Sequence, residues 1–196
     1  MFLKPTRMIN HERYLRIALM AFAIGIAFLY TWAGRYQMNP DGISYLDIAD
    51  AYQNLDWNNA INAMWSPLYS WILAFVFFLF SPSPFWKFPL AHIVNFFIYL
   101  FALLSFDYFL RVLLERHWEH ERIPLIILGY FLFLVGTVSF IGLALVTPDM
   151  LVAGFAFLNM GILLRIFRGQ ATYTLFGIWG IVLAIGYFAK SPLFPA

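Results

Sequence analysis

The sequence predicts an all-α fold, a polytopic transmembrane helical bundle with a short juxtamembrane helix in an outer loop, and three observations carry that expectation. Of the 196 residues, 63% are hydrophobic, 21% aromatic and only 11% charged, far from the mixture of a soluble domain. The apolar residues come in long uninterrupted runs; lipid admits only helices or closed barrels, and barrel strands alternate apolar with polar. Polar or proline-rich breaks separate the runs, as at Ser81-Pro82-Ser83-Pro84.

The first run, residues 17–33, is about long enough to cross a hydrocarbon core of roughly 30 Å. Further runs cover residues 67–81, 85–113, 124–146, 149–166 and 173–189, so six helical segments are on offer. The chain shows no internal repeat and no linker that would divide it, and it reads as one unit over residues 1–196. Cysteine is absent, which excludes disulfides and thiolate metal sites, and a formal net charge of +2 gives no reason to expect a nucleic-acid partner.

Lys4, Arg7, Arg13 and Arg16 against the single acid Glu12 put the N-terminus on the cytoplasmic side. The long apolar run and the lack of an A-x-A site favour an uncleaved signal anchor. Alternation of all six segments would then leave Asp149 and Lys190 inside and Arg165 and Arg168 outside, against the positive-inside tendency. Removing one span repairs both. The weakest candidate is residues 67–81, about 15 residues between Pro67 and the proline break, which we expect to be re-entrant or tilted.

Between the first two runs, residues 39–71 form a polar island with Asp41, Asp47, Asp50 and Asp56. Asn39-Pro40-Asp41-Gly42 is a turn signal, and Ser44 with Asp47 three residues later resembles a helix start. Ile43, Leu46, Ile48, Tyr52 and Leu55 recur at broadly helical spacing, as in a helix lying at the membrane surface. Asp41 also fits an ordinary turn or N-cap residue. Asp107 and Arg111, four apart, fit an ion pair near a helix end. His92 and Asn95 fit interhelical hydrogen-bonding groups, and His117 with His120 a solvated interfacial segment rather than a metal site.

The segments PDGISYLDIADAY and WSPLYSW resemble the first outer loop of the GT-C membrane glycosyltransferases, the group holding protein O-mannosyltransferases and lipid A aminoarabinose transferases. Asp41 matches the acid that follows the first span in that family. Gly42 stands where a second acid often sits, and Ser66 replaces a proline. Thr147-Pro148-Asp149 resembles the family's second acidic position, and Gly186 to Pro192 resembles its lysine element near the donor phosphate. The similarity follows the family's order along nearly the whole chain, and members continue through further spans, so the resemblance implies the N-terminal transmembrane part of a longer module.

The resemblance implies sugar transfer from a polyprenyl-phosphate donor to an acceptor hydroxyl at the outer face of a bacterial inner membrane. Asp41 and Asp149 would be the catalytic acids, and Lys190 and Arg35 the donor-phosphate contacts. Membrane lipids surround the chain; the resemblance assigns no definite cofactor, and a divalent cation is left open. The chemistry needs a carboxylate to take the acceptor proton and a cation to steady the departing phosphate. Without the family context, Lys190 at the end of an apolar run reads as a snorkelling anchor, Arg35 as an interfacial anchor and Asp149 as a helix-opening acid. A transporter or flippase fragment and a non-catalytic scaffold are the rival readings. The former predicts an inverted repeat, of which the sequence shows none.

Overall fold

Proline and serine punctuation divides the chain where the sequence suggests, and the pieces between are helices. The computed structural model describes residues 10–62 and 64–190, apart from the side chain of Glu119. Lys4 and Arg7 of the N-terminal basic flank, and Ser191 and Pro192 of the last motif, lie outside the described residues. Those described form α1 (Asn10–Gly34), α2 (Pro40–Gln53), α3 (Trp57–Ala60), α4 (Pro67–Phe80), α5 (Pro84–Leu114), α6 (Glu119–Val135), α7 (Asp149–Arg165) and α8 (Tyr173–Ala189), with no strand among them. A π-helical turn prolongs α6 over Gly136–Ile141, and another prolongs α7 over Ile166–Gln170. Four stretches, Asn10–Gly34, Pro84–Leu114, His120–Ile141 and Asp149–Gln170, are long and apolar enough to cross a membrane, while α4 and α8 are shorter apolar helices. Large side chains such as Phe28, Phe78, Phe97 and Phe131 remain exposed on the helices, as lipid-facing surfaces require.

Two boundaries differ from expectation. The surface helix starts at Pro40 rather than Ser44, because proline needs no intrahelical donor in a first turn and Asn39 precedes it in extended conformation. Its buried face is Tyr45, Leu46, Ile48 and Ala49, whereas Ile43 and Leu55 point outward. The run expected over residues 124–146 is helical only to Ile141. Gly142, with φ of 79°, turns the chain out of the helix, and an irregular segment leads to Asp149.

The bundle is built on α5 and α7. Gly154 and Gly161, one heptad apart on α7, face Phe101 and Tyr108 of α5; an added Cβ would stand 2.6 Å and 2.5 Å from those rings. Small residues at such a crossing let two membrane helices approach closely. Phe106 of α5 stacks on Phe133 of α6 at 4.7 Å and meets Phe157 of α7 edge-on at 5.3 Å, which joins three helices in one apolar layer. On the other side, Ala23 and Ala27 of α1 are buried, and the Tyr99 hydroxyl of α5 donates to the Ala23 carbonyl at 3.2 Å.

At the start of α1 and the end of α5, one end of the bundle closes on a buried ionic network. Asp107 accepts from Arg16 at 2.8 Å, Tyr130 at 2.8 Å and Arg111 at 2.6 Å. Glu12 accepts from Arg16 at 3.2 Å and lies 3.7 Å from Arg122. The local Asp107–Arg111 pair read from the sequence is thus one arm of a network across α1, α5 and α6. Arg168, at the end of α7, donates to the Val112 and Leu113 carbonyls and caps the last turn of α5 at the same end.

α4 stays at the opposite end. Near its start, Tyr69 donates to Asn95 of α5 at 2.6 Å; near its finish, the Phe77 ring lies 5.8 Å from the ammonium of Lys87, also on α5. Lys87 and Asn95 both lie in the first part of a helix of 31 residues, which spans about 46 Å at 1.5 Å per residue. These contacts at both ends of α4 therefore fall within the first two-fifths of α5. Whether α4 is re-entrant or tilted is a matter for the labelling below, while the Lys190–Asp149 pair sets the end of α8 where α7 begins.

Cysteines introduced singly at Asn54, Ser81 and Ala144 should react with a membrane-impermeant thiol reagent from one side, and those at Arg116 and Gly169 from the other. Labelling of Ser81 with the second group would mean that α4 crosses the membrane. Asp107→Asn should destabilise the fold by about 3–5 kcal/mol, because it weakens the pairing of a buried Arg16. Arg111→Gln, at a side chain 46% exposed, should cost under about 1 kcal/mol. Denaturant titration in detergent micelles measures both.

Candidate functional site

Three irregular or terminal segments meet where α1 ends, and polar side chains from α5 hold two of them. His92 Nε2 donates to the Gln37 carbonyl at 2.8 Å, and a carbonyl can only accept, so the proton sits on that nitrogen. Asn95 donates to the Leu145 carbonyl at 2.9 Å while accepting from Tyr69. Sequence reasoning expected His92 and Asn95 to bridge helices. Asn95 does so through Tyr69 of α4, and both residues also hold loop carbonyls, which have no helical partner of their own and must find one when shielded from water.

Asn39 completes the tie. Its side chain does not cap α2; its Oδ1 accepts from the Val146 amide at 2.9 Å, linking the entry of α2 to the segment that leads into α7. Gly42 makes that approach feasible, since an added Cβ would lie 2.5 Å from Met38 Sδ and 2.9 Å from both Asn39 Oδ1 and Val146 Cβ. The position where the resembling family often carries a second acid thus has no room for a side chain here.

Asp41 lies in the first turn of α2 and Asp149 in the first turn of α7. A carboxylate is favoured in both places by the partial positive charge of the helix N-terminus. Tyr45, one turn after Asp41, has its ring edge-on to Trp65 at 4.9 Å and Tyr69 at 5.1 Å, and its carbonyl accepts from Ser70 at 3.2 Å. Burial, then the charges of Asp149 and Asp41, push the Tyr45 phenol up to about 12. It therefore remains an O–H donor near neutral pH, and both carboxylates are close enough to act on it.

Lys190 ends α8 and reaches Asp149 Oδ1 at 2.8 Å, with the two side chains 48% and 43% exposed. Trp71 of α4 packs against Phe188 at 5.6 Å and steadies that end of α8. Two carboxylates, a protonated phenol and an ammonium accordingly gather from α2, α7 and α8 at one end of the bundle. Such a set can accept a proton, donate a hydrogen bond and bind an anion.

Arg35 stands apart from this set. Its guanidinium lies 4.3 Å from the Trp32 ring and 4.8 Å from the Tyr36 ring, and it donates to the Trp32 carbonyl. That is the geometry of an interfacial anchor. No group of three or more His, Cys, Asp or Glu side chains able to hold a metal occurs among the described residues. Asp41 and Asp149 would supply one or two carboxylate ligands to a hard divalent cation such as Mg²⁺, whose remaining positions are commonly taken by water and phosphate oxygens.

Tyr45, although inside the PDGISYLDIADAY segment, was not singled out by the sequence, and Lys87 carried no motif. Tyr45 lies four residues after Asp41, a spacing that puts both on one helix face, and this was the available signal. Lys87 pairs with Asp50 of α2 at 2.5 Å across 37 positions, a distance in sequence that no local pattern spans.

Gly42→Ala should lower stability by about 1–3 kcal/mol through overpacking and loosen the contact between α2 and the segment before α7. Thermal unfolding in detergent checks the first effect. Faster hydrogen exchange at the Val146 amide checks the second. Comparison of this chain with protein-family models, with curated proteins and with solved structures finds no match.

Proposed function

We propose that this protein transfers a sugar from a polyprenyl-phosphate donor to an acceptor hydroxyl at a membrane surface. The observation that carries the reading is the gathering of Asp41, Tyr45, Asp149 and Lys190 at one end of a bundle with four helices apolar enough to cross a membrane. A lipid-borne donor cannot leave the bilayer, so its enzyme needs proton-accepting and phosphate-binding groups at the interface. The resemblance of the Asp41 and Asp149 segments to GT-C glycosyltransferases favours this reading over transport or scaffolding.

In the reaction, the acceptor oxygen attacks the anomeric carbon while its proton passes to the Asp41 carboxylate. The bond between that carbon and the phosphate oxygen breaks, and polyprenyl phosphate departs with the electron pair. Lys190 stabilises the phosphate as charge grows on it, more strongly in a partly dry site than in water. Asp149 orients the groups around it. Arg35 would reach a phosphate only by leaving its aromatic platform, so its phosphate role is secondary to anchoring.

Charge supports an orientation with the N-terminus in the cytoplasm and the site on the outer face, and the family resemblance suggests the bacterial inner membrane. Arg13, Arg16, Arg111, Arg116, Arg122, Arg165 and Arg168 belong to the end of the bundle away from Asp41, seven arginines against five carboxylates. At the Asp41 end, five aspartates outnumber Arg35, Lys87 and Lys190.

Incubation of the purified protein with labelled polyprenyl-phosphate sugar and acceptor tests the reading: sugar should move to the acceptor, and mere movement of the lipid across the bilayer would favour a flippase instead. Asp41→Asn should leave thermal stability nearly unchanged and lower transfer by about 100-fold or more. Near-normal turnover in a folded Asp41→Asn protein would remove Asp41 from the mechanism. Lys190→Ala should weaken binding of donors carrying different sugars alike, and Lys190→Arg should keep part of the affinity, because the charge survives with altered geometry.

A further inference from the structure

Lys190, the residue best placed to meet a phosphate, already has a carboxylate at 2.8 Å, that of Asp149. Both side chains are about half exposed, so an anion arriving from the interface can reach the ammonium without unpacking the bundle. Asp149 also has somewhere else to go. It lies in the first turn of α7, where unpaired backbone amides and the helix dipole favour a carboxylate, and its charge acts on Tyr45 beside Asp41.

We infer that Asp149 occupies the ammonium of Lys190 until a phosphate group displaces it, so that phosphate entry and release of the Asp149 carboxylate are one event. The inference rests on the proposed role of Lys190 in binding a phosphate. It deepens that role by making Asp149 a competitor of the incoming anion as well as a positioning residue. A phosphate brings several acceptor oxygens and at least one full negative charge to an ammonium with three donors, whereas the recorded contact with Asp149 uses one oxygen. The exchange leaves Asp149 without its cation. Its charge then opposes retention of the phosphate, which favours departure of the spent carrier.

Partly exposed pairs of this kind correspond to about 2- to 5-fold in an equilibrium constant. Binding of dodecyl phosphate and of inorganic phosphate to the full protein, followed by titration calorimetry, tests the idea in four forms: unaltered, Asp149→Asn, Lys190→Ala and the double variant. Asp149→Asn should tighten phosphate binding by about 2- to 5-fold, and the same substitution in the Lys190→Ala background should change nothing. Tightening for both probes would identify phosphate itself as the displacing group, and tightening for dodecyl phosphate alone would identify its lipid-linked form; either result upholds the exchange. Asp149→Ser, which removes the charge and keeps a hydroxyl in the first turn of α7, should reproduce the effect if Asp149→Asn folds poorly. Lys190-dependent binding that Asp149→Asn leaves unchanged or weakens would overturn the exchange and spare the phosphate site. Binding that is absent, or indifferent to Lys190→Ala, would overturn both.

Discussion

Backbone that leaves helical conformation inside or beside a bilayer must find hydrogen-bond partners within the protein, and the Asp41 end of this bundle is organised by that requirement. The chain abandons the helix at residues 35–39 and again at 142–148, exposing carbonyls and amides that lipid cannot satisfy. His92, Asn95 and Asn39 supply the missing partners at Gln37, Leu145 and Val146. Because one helix, α5, carries two of those ties and Asn39 carries the third, two segments remote in sequence are fixed against each other. The acidic first turns of α2 and α7 come along with them.

The opposite end solves a different problem. Arginines and carboxylates are costly to bury, yet Arg16, Glu12 and Asp107 are almost wholly shielded. Their mutual pairing, with the Tyr130 hydroxyl as a further donor to Asp107, makes burial tolerable without requiring that it be a large net gain. Its pairs among Glu12, Arg16, Asp107, Tyr130 and Arg122 tie α1, α5 and α6 together at that end, with Arg16 Nη2 and Arg122 Nε buried and unpaired. Between the two polar ends lie the close glycine-mediated crossing of α5 on α7 and the aromatic layer around Phe106. These apolar contacts carry the packing but specify depth only loosely, so the polar ties at each end set it.

At the Asp41 end, shape and charge act together. The tight packing at Gly42 lets α2 approach the segment before α7, which is why Asp41 and Asp149 both act on Tyr45. The return of α8 beside α7 then brings an ammonium to Asp149. Each carboxylate is compatible with its place because it opens a helix, and Lys190 is compatible with its place because it closes one at the boundary of an apolar segment.

The sequence by itself determined the all-helical class, the apolar runs and the surface helix in the polar loop, because hydrophobic length and proline placement act locally and need no partner. It also singled out residues 67–81 as the shortest apolar run, which forms one of the two apolar helices shorter than the four long enough to cross a membrane. It misplaced the start of α2 and ran the fourth segment past Ile141, since apolar composition cannot distinguish a helix from an irregular segment whose polar backbone is satisfied from elsewhere. Asp41, Asp149 and Lys190 were legible as candidates. Only the tertiary structure decided that Asp149 faces Lys190, that Tyr45 stands near both acids, that Gly42 leaves no space for another, and that Lys87 answers Asp50. Those relations depend on how α2, α5, α7 and α8 cross, and helix crossings are set by contacts between residues far apart in the chain, which no local pattern records.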